Sequence, residues 1–239
     1  IAMAGDERVR VVDFSPISSR NLNLADYPLS GGNKQELFTW PAVLDDRNVH
    51  GPMSVVVPGE VAGMALALEQ FGTKSWHEVV SPAIRIAEQG MAVDWYLTLK
   101  VATSAKELAR YPSTASIWLP EGYPPVTPAG APQPLMLTGL ADTLRRLAKA
   151  GPRDFYEGEI ARAIVADMKA LGGVLDAEDL AQYHARIVEP TALDYRHCAL
   201  SLAPSLTAGP SMARTLAGLA KHRFSGNTPD AAAFTAYAY

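Results

Sequence analysis

The sequence predicts an α+β fold in which strands and helices occupy separate parts of the chain. Segments rich in β-branched and aromatic residues lie within residues 1–14 and again within residues 186–202. Between them, several segments repeat apolar residues at the i, i+3, i+4 spacing of amphipathic helices. The sequence lacks the regular alternation of strands and helices that would indicate a doubly wound parallel sheet.

The composition is that of an ordinary globular protein with a substantial core. The chain has 239 residues, of which 48% are hydrophobic and 19% are charged. Its formal net charge is −4, and its one adjacent basic pair, Arg145-Arg146, falls on a predicted helix. We therefore expect no nucleic-acid partner. No apolar run approaches the roughly 20 residues that cross a bilayer, so we expect no membrane span.

The first residues, IAMAGDERVRVVDF, have the pattern of a strand hairpin and no initiator methionine. We predict strands over residues 1–3 and 9–14, joined by a polar turn that contains Gly5. A polar loop rich in Ser, Asn, Pro and Gly is predicted over residues 15–34. We expect both ends of the chain to be truncated relative to a longer polypeptide. The sequence therefore leaves the localisation open between cytoplasmic, periplasmic and secreted.

A pair of helices is predicted after the corner at Pro58-Gly59. Apolar residues recur at helical spacing from there to Phe71, and Gly72 is expected to end the first helix as a left-handed C-cap. Ser75 and Glu78 have the spacing of a capping box at the start of the second helix.

His77, inside that box, is expected to face solvent. The second helix is expected to end at Gly90. Ser81-Pro82 within it indicates either a kink or a fresh start.

Similar patterns predict the remaining elements of the chain. They are a helix over residues 95–110 capped by Asp94, a proline-rich surface loop over 120–134, a helix over 139–151 capped by Thr138, a helix within 153–171 ended by Gly172-Gly173, a short helix capped by Asp176, strands over 186–188 and 191–202, and a helix over 211–221.

The residues themselves contain no catalytic constellation. The five histidines show no metal-ligand spacing, and the glycine-rich phosphate and dinucleotide fingerprints and the GxSxG elbow are absent. We expect neither a metal nor an organic cofactor. The single cysteine, Cys198, excludes an internal disulfide and is predicted to be a small buried strand residue.

Two long segments carry a resemblance to a known family. SVVVPGEVAGMALALEQFGT, at residues 54–73, and SPAIRIAEQG, at residues 81–90, resemble the central part of the large subunit of gamma-glutamyltranspeptidases. Residues 139–196 resemble the next signature of that family, with FYEGEIA, a Gly-Gly turn, DLAQY and EP…YR in the family order. The resemblance covers residues 9–209.

This resemblance implies an N-terminal-nucleophile hydrolase, whose αββα sandwich receives from this chain mainly the helical layer and some strands. Residues 1–239 would be part of a single large-subunit region. In that family a precursor cleaves itself, and the new N-terminal threonine of the small subunit is the nucleophile, with its own α-amino group as general base. The resemblance thus implies a small-subunit partner, a dimer of heterodimers as one assembly, and no catalytic residue in this chain.

One family motif differs here. Where the family has Asp-Phe-Arg-Glu, with an arginine that binds the α-carboxylate of the glutamyl group, this chain has Asp13-Phe14-Ser15-Pro16. Arg20, five residues later, either reaches the substrate or is a solvated loop arginine. Ser15 and Arg20 are therefore the candidate substrate-binding residues.

Three functions remain open at this stage. The first is cleavage or transfer of a γ-glutamyl or related acyl group from an amide. The second is a family member that has lost catalysis and acts as a binding or scaffold protein. The third is an acylase that acts on glutaryl or cephalosporin-type amides.

Overall fold

A computed structural model of the chain describes residues 1–3, 6, 8–35, 39–127, 134–137, 139–221, 231 and 235. Within these residues, strands lie toward both ends and helices between them. In chain order the elements are β1 (Val11–Asp13), β2 (Leu29–Gln35), β3 (Thr39–Val43), α1 (Glu60–Phe71), α2 (Trp76–Gln89), α3 (Trp95–Thr103), α4 (Ala105–Leu108), α5 (Pro112–Trp118), α6 (Leu140–Ala150), α7 (Asp154–Glu157), α8 (Glu159–Leu171), α9 (Ala177–Ala181), β4 (Arg186–Val188), β5 (Thr191–Tyr195), β6 (Cys198–Leu202) and α10 (Gly209–Leu219).

The chain forms two compact units. One consists of Ile1–Phe14 together with Ala185–Tyr239, and the other of Ser15–His184. The expectation that residues 1–239 form part of one large-subunit region is not tested by this division and stays a prediction. Among the described helices, none is long and apolar enough to cross a membrane.

In the first unit, β1 finds its partner far away in the sequence. It pairs antiparallel with β4, with Val11 opposite Val188. The predicted partner, residues 1–3, contributes a single bridge between Ala2 and Val9, and Gly5 of the predicted turn lies outside the described residues. The predicted hairpin is thus correct at the bridge between Ala2 and Val9, whereas β1 itself pairs with β4, which is distant in the sequence.

The predicted strand over residues 191–202 is a hairpin of two strands. Tyr195 lies opposite Cys198, and the chain turns at Arg196, whose φ is +54°. A two-residue hairpin turn of this kind needs positive φ. Cys198 therefore lies at the turn end of β6 and is exposed, so its predicted burial is wrong. Helix α10 packs against both strands.

The core of the second unit forms between the segment that leads into α1 and the segment that contains α7, α8 and α9. It centres on Tyr156 and Leu180, which are almost fully buried, and on residues from the segments around them. The buried members of this cluster are Val57, Tyr156, Ala161, Leu175, Leu180 and Tyr183. Partly buried side chains of α1 and α8, among them Val61 and Met168, pack against it.

Helix α2 confirms the predicted capping box. The Ser75 hydroxyl accepts from the Glu78 amide, and the Glu78 carboxylate accepts from the Ser75 amide at 2.8 Å. Pro82 neither ends nor restarts the helix, which runs unbroken to Gln89. His77 is exposed, as predicted.

Helix α2 also packs against α6. The indole Nε1 of Trp76 donates to the Leu147 carbonyl oxygen of α6 at 2.9 Å. The cap predicted for α6, Thr138, lies outside the described residues. The described N-cap of this helix is Gly139, which is left-handed with φ +82°.

Gly72 ends α1, as predicted, but for a different reason. Its φ is −86° and its backbone is extended, so the left-handed cap is wrong. A Cβ at this position would lie 2.5 Å from the Leu68 carbonyl oxygen. Close approach of the backbone to the preceding turn therefore requires glycine here.

Several boundaries differ from the predicted ones. The helix predicted over residues 95–110 ends at Thr103 and is followed by α4, although the predicted cap is correct, because Asp94 accepts from the Leu97 amide at 2.7 Å. The helix predicted within residues 153–171 breaks at Gly158 into α7 and α8. The polar loop predicted over residues 15–34 contains β2, which pairs antiparallel with β3.

Candidate functional site

Ser15 and Arg20 lie on a segment that runs along the core of the second unit. Residues 15–21, hereafter the 15–21 segment, are attached to that core at several points. Ile17 forms a bridge with Val57, whose amide donates to the Ile17 carbonyl oxygen at 2.8 Å, and Val57 is fully buried. The segment also lies against the start of α9, whose N-cap is Asp176.

Asp179 is the acidic residue at the centre of these contacts. It occupies the third position of α9 and forms a capping box with Asp176, because each carboxylate accepts the other residue's amide. Only 3% of Asp179 is exposed. A buried carboxylate requires hydrogen-bond donors, and the 15–21 segment supplies them.

Ser19 and Arg20 donate to this carboxylate. The Ser19 hydroxyl, itself buried, donates to Asp179 Oδ2 at 2.6 Å. The Arg20 amide and Nε both donate to Asp179 Oδ1, at 3.0 and 3.1 Å. Asn21 adds a hydrogen bond from Nδ2 to Asp176 Oδ2 at 2.8 Å. We call Ser19, Arg20, Asn21, Asp176 and Asp179 the Asp179 cluster.

The guanidinium of Arg20 faces three carboxylates of this chain. Nε lies 3.1 Å from Asp179, Nη1 lies 3.0 Å from Glu178, and Nη2 lies 3.3 Å from Asp176. The side chain is 44% exposed, so it is neither a freely solvated arginine nor a buried one. The acidic first turn of α9 is a favourable place for these negative charges, because it adjoins the positive end of the helix dipole.

The pKa values within the cluster favour the charged forms. Burial acts to raise the pKa of Asp179, but the Arg20 amide, the Ser19 hydroxyl, the Asp176 amide and the Arg20 guanidinium together lower it below the ordinary value. The hydrogen bond from the Asp179 amide lowers the pKa of Asp176. In turn, the hydrogen bond to the Asp179 carboxylate raises the pKa of the Arg20 guanidinium above its ordinary value.

Ser15 lies at the other end of the segment and is exposed. Its carbonyl oxygen accepts a hydrogen bond from the Tyr183 hydroxyl at 2.9 Å. Tyr183 is buried and stacks on Tyr156, with ring centroids 5.6 Å apart. The backbone of Ser15 is therefore attached to the core while its side chain lies at the surface.

The sequence indicated the cap formed by Asp176, but it did not indicate Ser19 and Asp179 as partners. The missed pair is 160 residues apart in the sequence, and no local pattern reports such a contact. The substrate-binding roles of Ser15 and Arg20 stay predictions. Within the part of the chain that the structure describes, no group of three or more His, Cys, Asp or Glu residues could bind a metal ion.

Solved structures share the fold of this chain. Helicobacter pylori gamma-glutamyltranspeptidase matches with a TM-score of 0.78 and 23% identity, over 95% of this chain and 62% of that chain. A cephalosporin acylase from Bacillus halodurans matches with a TM-score of 0.77 and 23% identity, over 94% of this chain and 40% of that chain. The chain therefore has the same fold as these two proteins, and the predicted α+β class is confirmed.

The sequence then gives the family. The family model described as gamma-glutamyltranspeptidase matches residues 2–238, and the chain belongs to that family. It is 39% identical over 152 residues to the acylase ACY 1 proenzyme of Pseudomonas sp. strain SE83, covering 64% of this chain and 26% of that protein. It is 34% identical over 168 residues to the glutathione hydrolase proenzyme of Pseudomonas sp. strain A14, covering 70% of this chain and 28% of that protein. The matched region is thus less than a third of the length of these relatives.

Proposed function

We propose that this chain is the large-subunit portion of a gamma-glutamyltranspeptidase-like amidohydrolase or acyltransferase. The observation that carries the proposal is the family match, which is continuous from residue 2 to residue 238. Two relatives named for different activities, an acylase and a glutathione hydrolase, are both called proenzymes. A self-processed precursor with a separate small subunit accounts for those names.

The chemistry would be performed by the N-terminal threonine of that small subunit. Its hydroxyl oxygen attacks the amide carbonyl while its α-amino group takes the hydroxyl proton. The C–N bond breaks, the amine leaves with a proton, and the acyl group remains on the threonine as an ester. Water then releases the acid, or an acceptor amine takes the acyl group. These steps require no metal or organic cofactor.

The role of this chain would be to form part of the acyl-group site. The resemblance places Ser15 where family members carry the arginine that binds the substrate carboxylate. Ser15 is exposed, and the hydrogen bond to its carbonyl oxygen gives its backbone a fixed position. Arg20 is the second candidate, and the question for this residue is whether it contacts substrate or fixes the segment.

The processing step is tested on the full-length product of the gene that encodes this chain. We expect two bands on a denaturing gel, with threonine as the first residue of the smaller one by N-terminal sequencing. Changing that threonine to alanine should leave one unprocessed band. A single band in the unchanged protein, with no threonine-initiated chain, contradicts the proposal.

A second candidate function is an acylase that acts on glutaryl or cephalosporin-type amides. The sequence similarity to the acylase ACY 1 proenzyme and the serine at position 15 favour this second function. A glutaryl group keeps the terminal carboxylate of a γ-glutamyl group but lacks its amino group. Three chromogenic anilides separate the possibilities: γ-glutamyl, glutaryl and the uncharged butyryl anilide.

Ser15→Arg tests whether position 15 lines the acyl site. A guanidinium binds a carboxylate through two parallel hydrogen bonds, so kcat/KM for the two charged anilides should rise about tenfold relative to butyryl anilide. Ser15→Gln is the control, because it adds length and polarity without charge. An unchanged ratio between charged and uncharged substrates in Ser15→Arg would show that Ser15 lies outside the acyl site. A processed protein that cleaves none of these or a wider panel of acyl amides supports the scaffold alternative.

A further inference from the structure

We propose that Asp179 is a positioning residue for acyl recognition, which fixes the 15–21 segment so that Ser15 faces the acyl group. In this arrangement Arg20 acts through Asp179 and does not contact substrate. The inference rests on the proposed function for its consequence in catalysis. Its structural part, the attachment of the segment by Asp179, is tested independently of any activity.

The Asp179 carboxylate is fully used within the protein. Oδ1 accepts from the Arg20 amide and Nε, and Oδ2 accepts from the Ser19 hydroxyl and the Asp176 amide. An ionised carboxylate has about four acceptor positions, so no position remains for a substrate or a transferred proton. Asp179 is therefore suited to joining two segments of the chain and not to acid–base chemistry.

Arg20 is also committed to the protein. Each of its three guanidinium nitrogens lies within 3.3 Å of a carboxylate oxygen of α9 or of its N-cap, Asp176. Turning it toward a substrate would remove its side-chain hydrogen bond from Asp179, a carboxylate that is 3% exposed. Taking one partner from a buried charge is costly, because the charge has no water to replace that partner.

Helix α9, its N-cap Asp176 and Tyr183 attach both ends of the 15–21 segment. Its N-terminal turn, through Asp176 and Asp179, binds Ser19, Arg20 and Asn21. Tyr183, two residues after the helix ends, binds the carbonyl oxygen of Ser15. A short helix packed on the core thus fixes the position of the residue that the family uses for the substrate carboxylate.

Asp179→Asn is the central variant, because it keeps the shape of the side chain and replaces one acceptor oxygen with a donor. The new amide group would face donors on Ser19, Arg20 or Asp176. Asp167→Asn is the matched control, since Asp167 is an exposed aspartate on α8 of the same unit. Both variants are made in the full-length, processed protein.

Hydrogen exchange measured by mass spectrometry tests the attachment. In Asp179→Asn, amides of residues 15–21 should exchange about tenfold faster or more, while those of α2 and α6 keep the rates of the unchanged protein. Asp167→Asn should exchange like the unchanged protein throughout. If Asp179→Asn does not fold, Ser19→Ala removes one donor to the same carboxylate and should give the same pattern. Unchanged exchange of residues 15–21 in the folded variant would overturn the inference.

The kinetic arm asks how Arg20 acts. A positioning role predicts that Arg20→Gln and Asp179→Asn raise KM by the same factor, about three- to tenfold for the anilides that carry a carboxylate, with kcat changed less than twofold. Direct carboxylate binding by Arg20 predicts instead that Arg20→Gln raises KM for those anilides well beyond the effect of Asp179→Asn, and that result would overturn the role assigned to Arg20. Absence of turnover in the unchanged protein would count against the proposed function, whereas the exchange measurement would still decide the attachment.

Discussion

The hydroxyl of Tyr156 donates a hydrogen bond to the Pro58 carbonyl oxygen at 2.9 Å, just before α1 begins. The same hydroxyl accepts from the Ala62 amide of the first turn at 3.1 Å. The N-cap position of α1 is occupied by Gly59, which has no side chain to cap the helix. A residue from α7 therefore supplies the cap that the local sequence lacks, and it joins α1 to the core of its unit.

Tyr156→Phe should destabilise the protein while keeping the packing of the ring. Burial raises the pKa of the hydroxyl, which is neutral, and its loss leaves the Ala62 amide without its partner. We expect the free energy of unfolding to fall by about 1–2 kcal/mol, measured by urea denaturation. Tyr123→Phe, at an exposed tyrosine, is the control and should change the midpoint little. Equal effects of the two substitutions would show that the cap contributes nothing.

Two glycines of α10 should respond differently to replacement by alanine. A Cβ at Gly209 would lie 1.9 Å from the Ala203 carbonyl oxygen, whereas a Cβ at Gly218 would meet no atom within 4 Å. Gly209→Ala should lower the thermal midpoint, with a cost of about 1–3 kcal/mol from forced displacement of the backbone. Gly218→Ala, in the same helix, should leave the midpoint unchanged or raise it, since alanine favours the helix by about 1 kcal/mol. Equal shifts would mean that the close approach at Gly209 is relieved without cost.

Asp154 should make stability depend on acid pH. Two hydrogen bonds from the Arg146 guanidinium, at 2.6 and 2.7 Å, are the main cause that lowers its pKa from 3.8 to about 2; burial opposes them and the Ile160 and Glu159 amides assist. Because the folded pKa is depressed, the carboxylate contributes its full stabilisation above pH 3.8 and loses it as the pH falls toward about 2.

Urea midpoints of the unchanged protein and Asp154→Asn, measured across this range, provide the test. Their difference should be constant above pH 3.8 and shrink below it. Asp167→Asn should follow the unchanged protein at every pH. A difference that stays constant down to about pH 2 would contradict the assigned pairing.

The capping box of α2 gives a local prediction. Ser75→Ala removes the acceptor for the Glu78 amide and should cost about 1 kcal/mol in the free energy of unfolding. Thr73→Ala, in the turn just before, is the control for losing a hydroxyl at an exposed position. An effect of Ser75→Ala no larger than that of Thr73→Ala would show that the box does not stabilise the folded protein.

Local chemistry explains which elements were predicted correctly. Ser75, Asp94 and Asp176 each cap the helix that their spacing indicated, because a cap involves residues only two or three positions apart. The apolar period gave α1, α2 and α6 to within a few residues. The errors lie where the apolar period is a poor guide: Gly158 breaks a continuous apolar period into two helices, and β2 is an exposed, glycine-containing strand that pairs with β3.

The sequence by itself determined the α+β class, the family and the replacement of the family's arginine by Ser15, since these depend on residue types and their order. Tertiary structure decided how the 15–21 segment is fixed. Nothing near Arg20 in the sequence indicates that its guanidinium meets Asp176, Glu178 and Asp179, roughly 160 residues later. Folding brings them together because the buried Asp179 carboxylate needs donors, and Ser19 and Arg20 lie beside it once the core around Tyr156 and Tyr183 has formed.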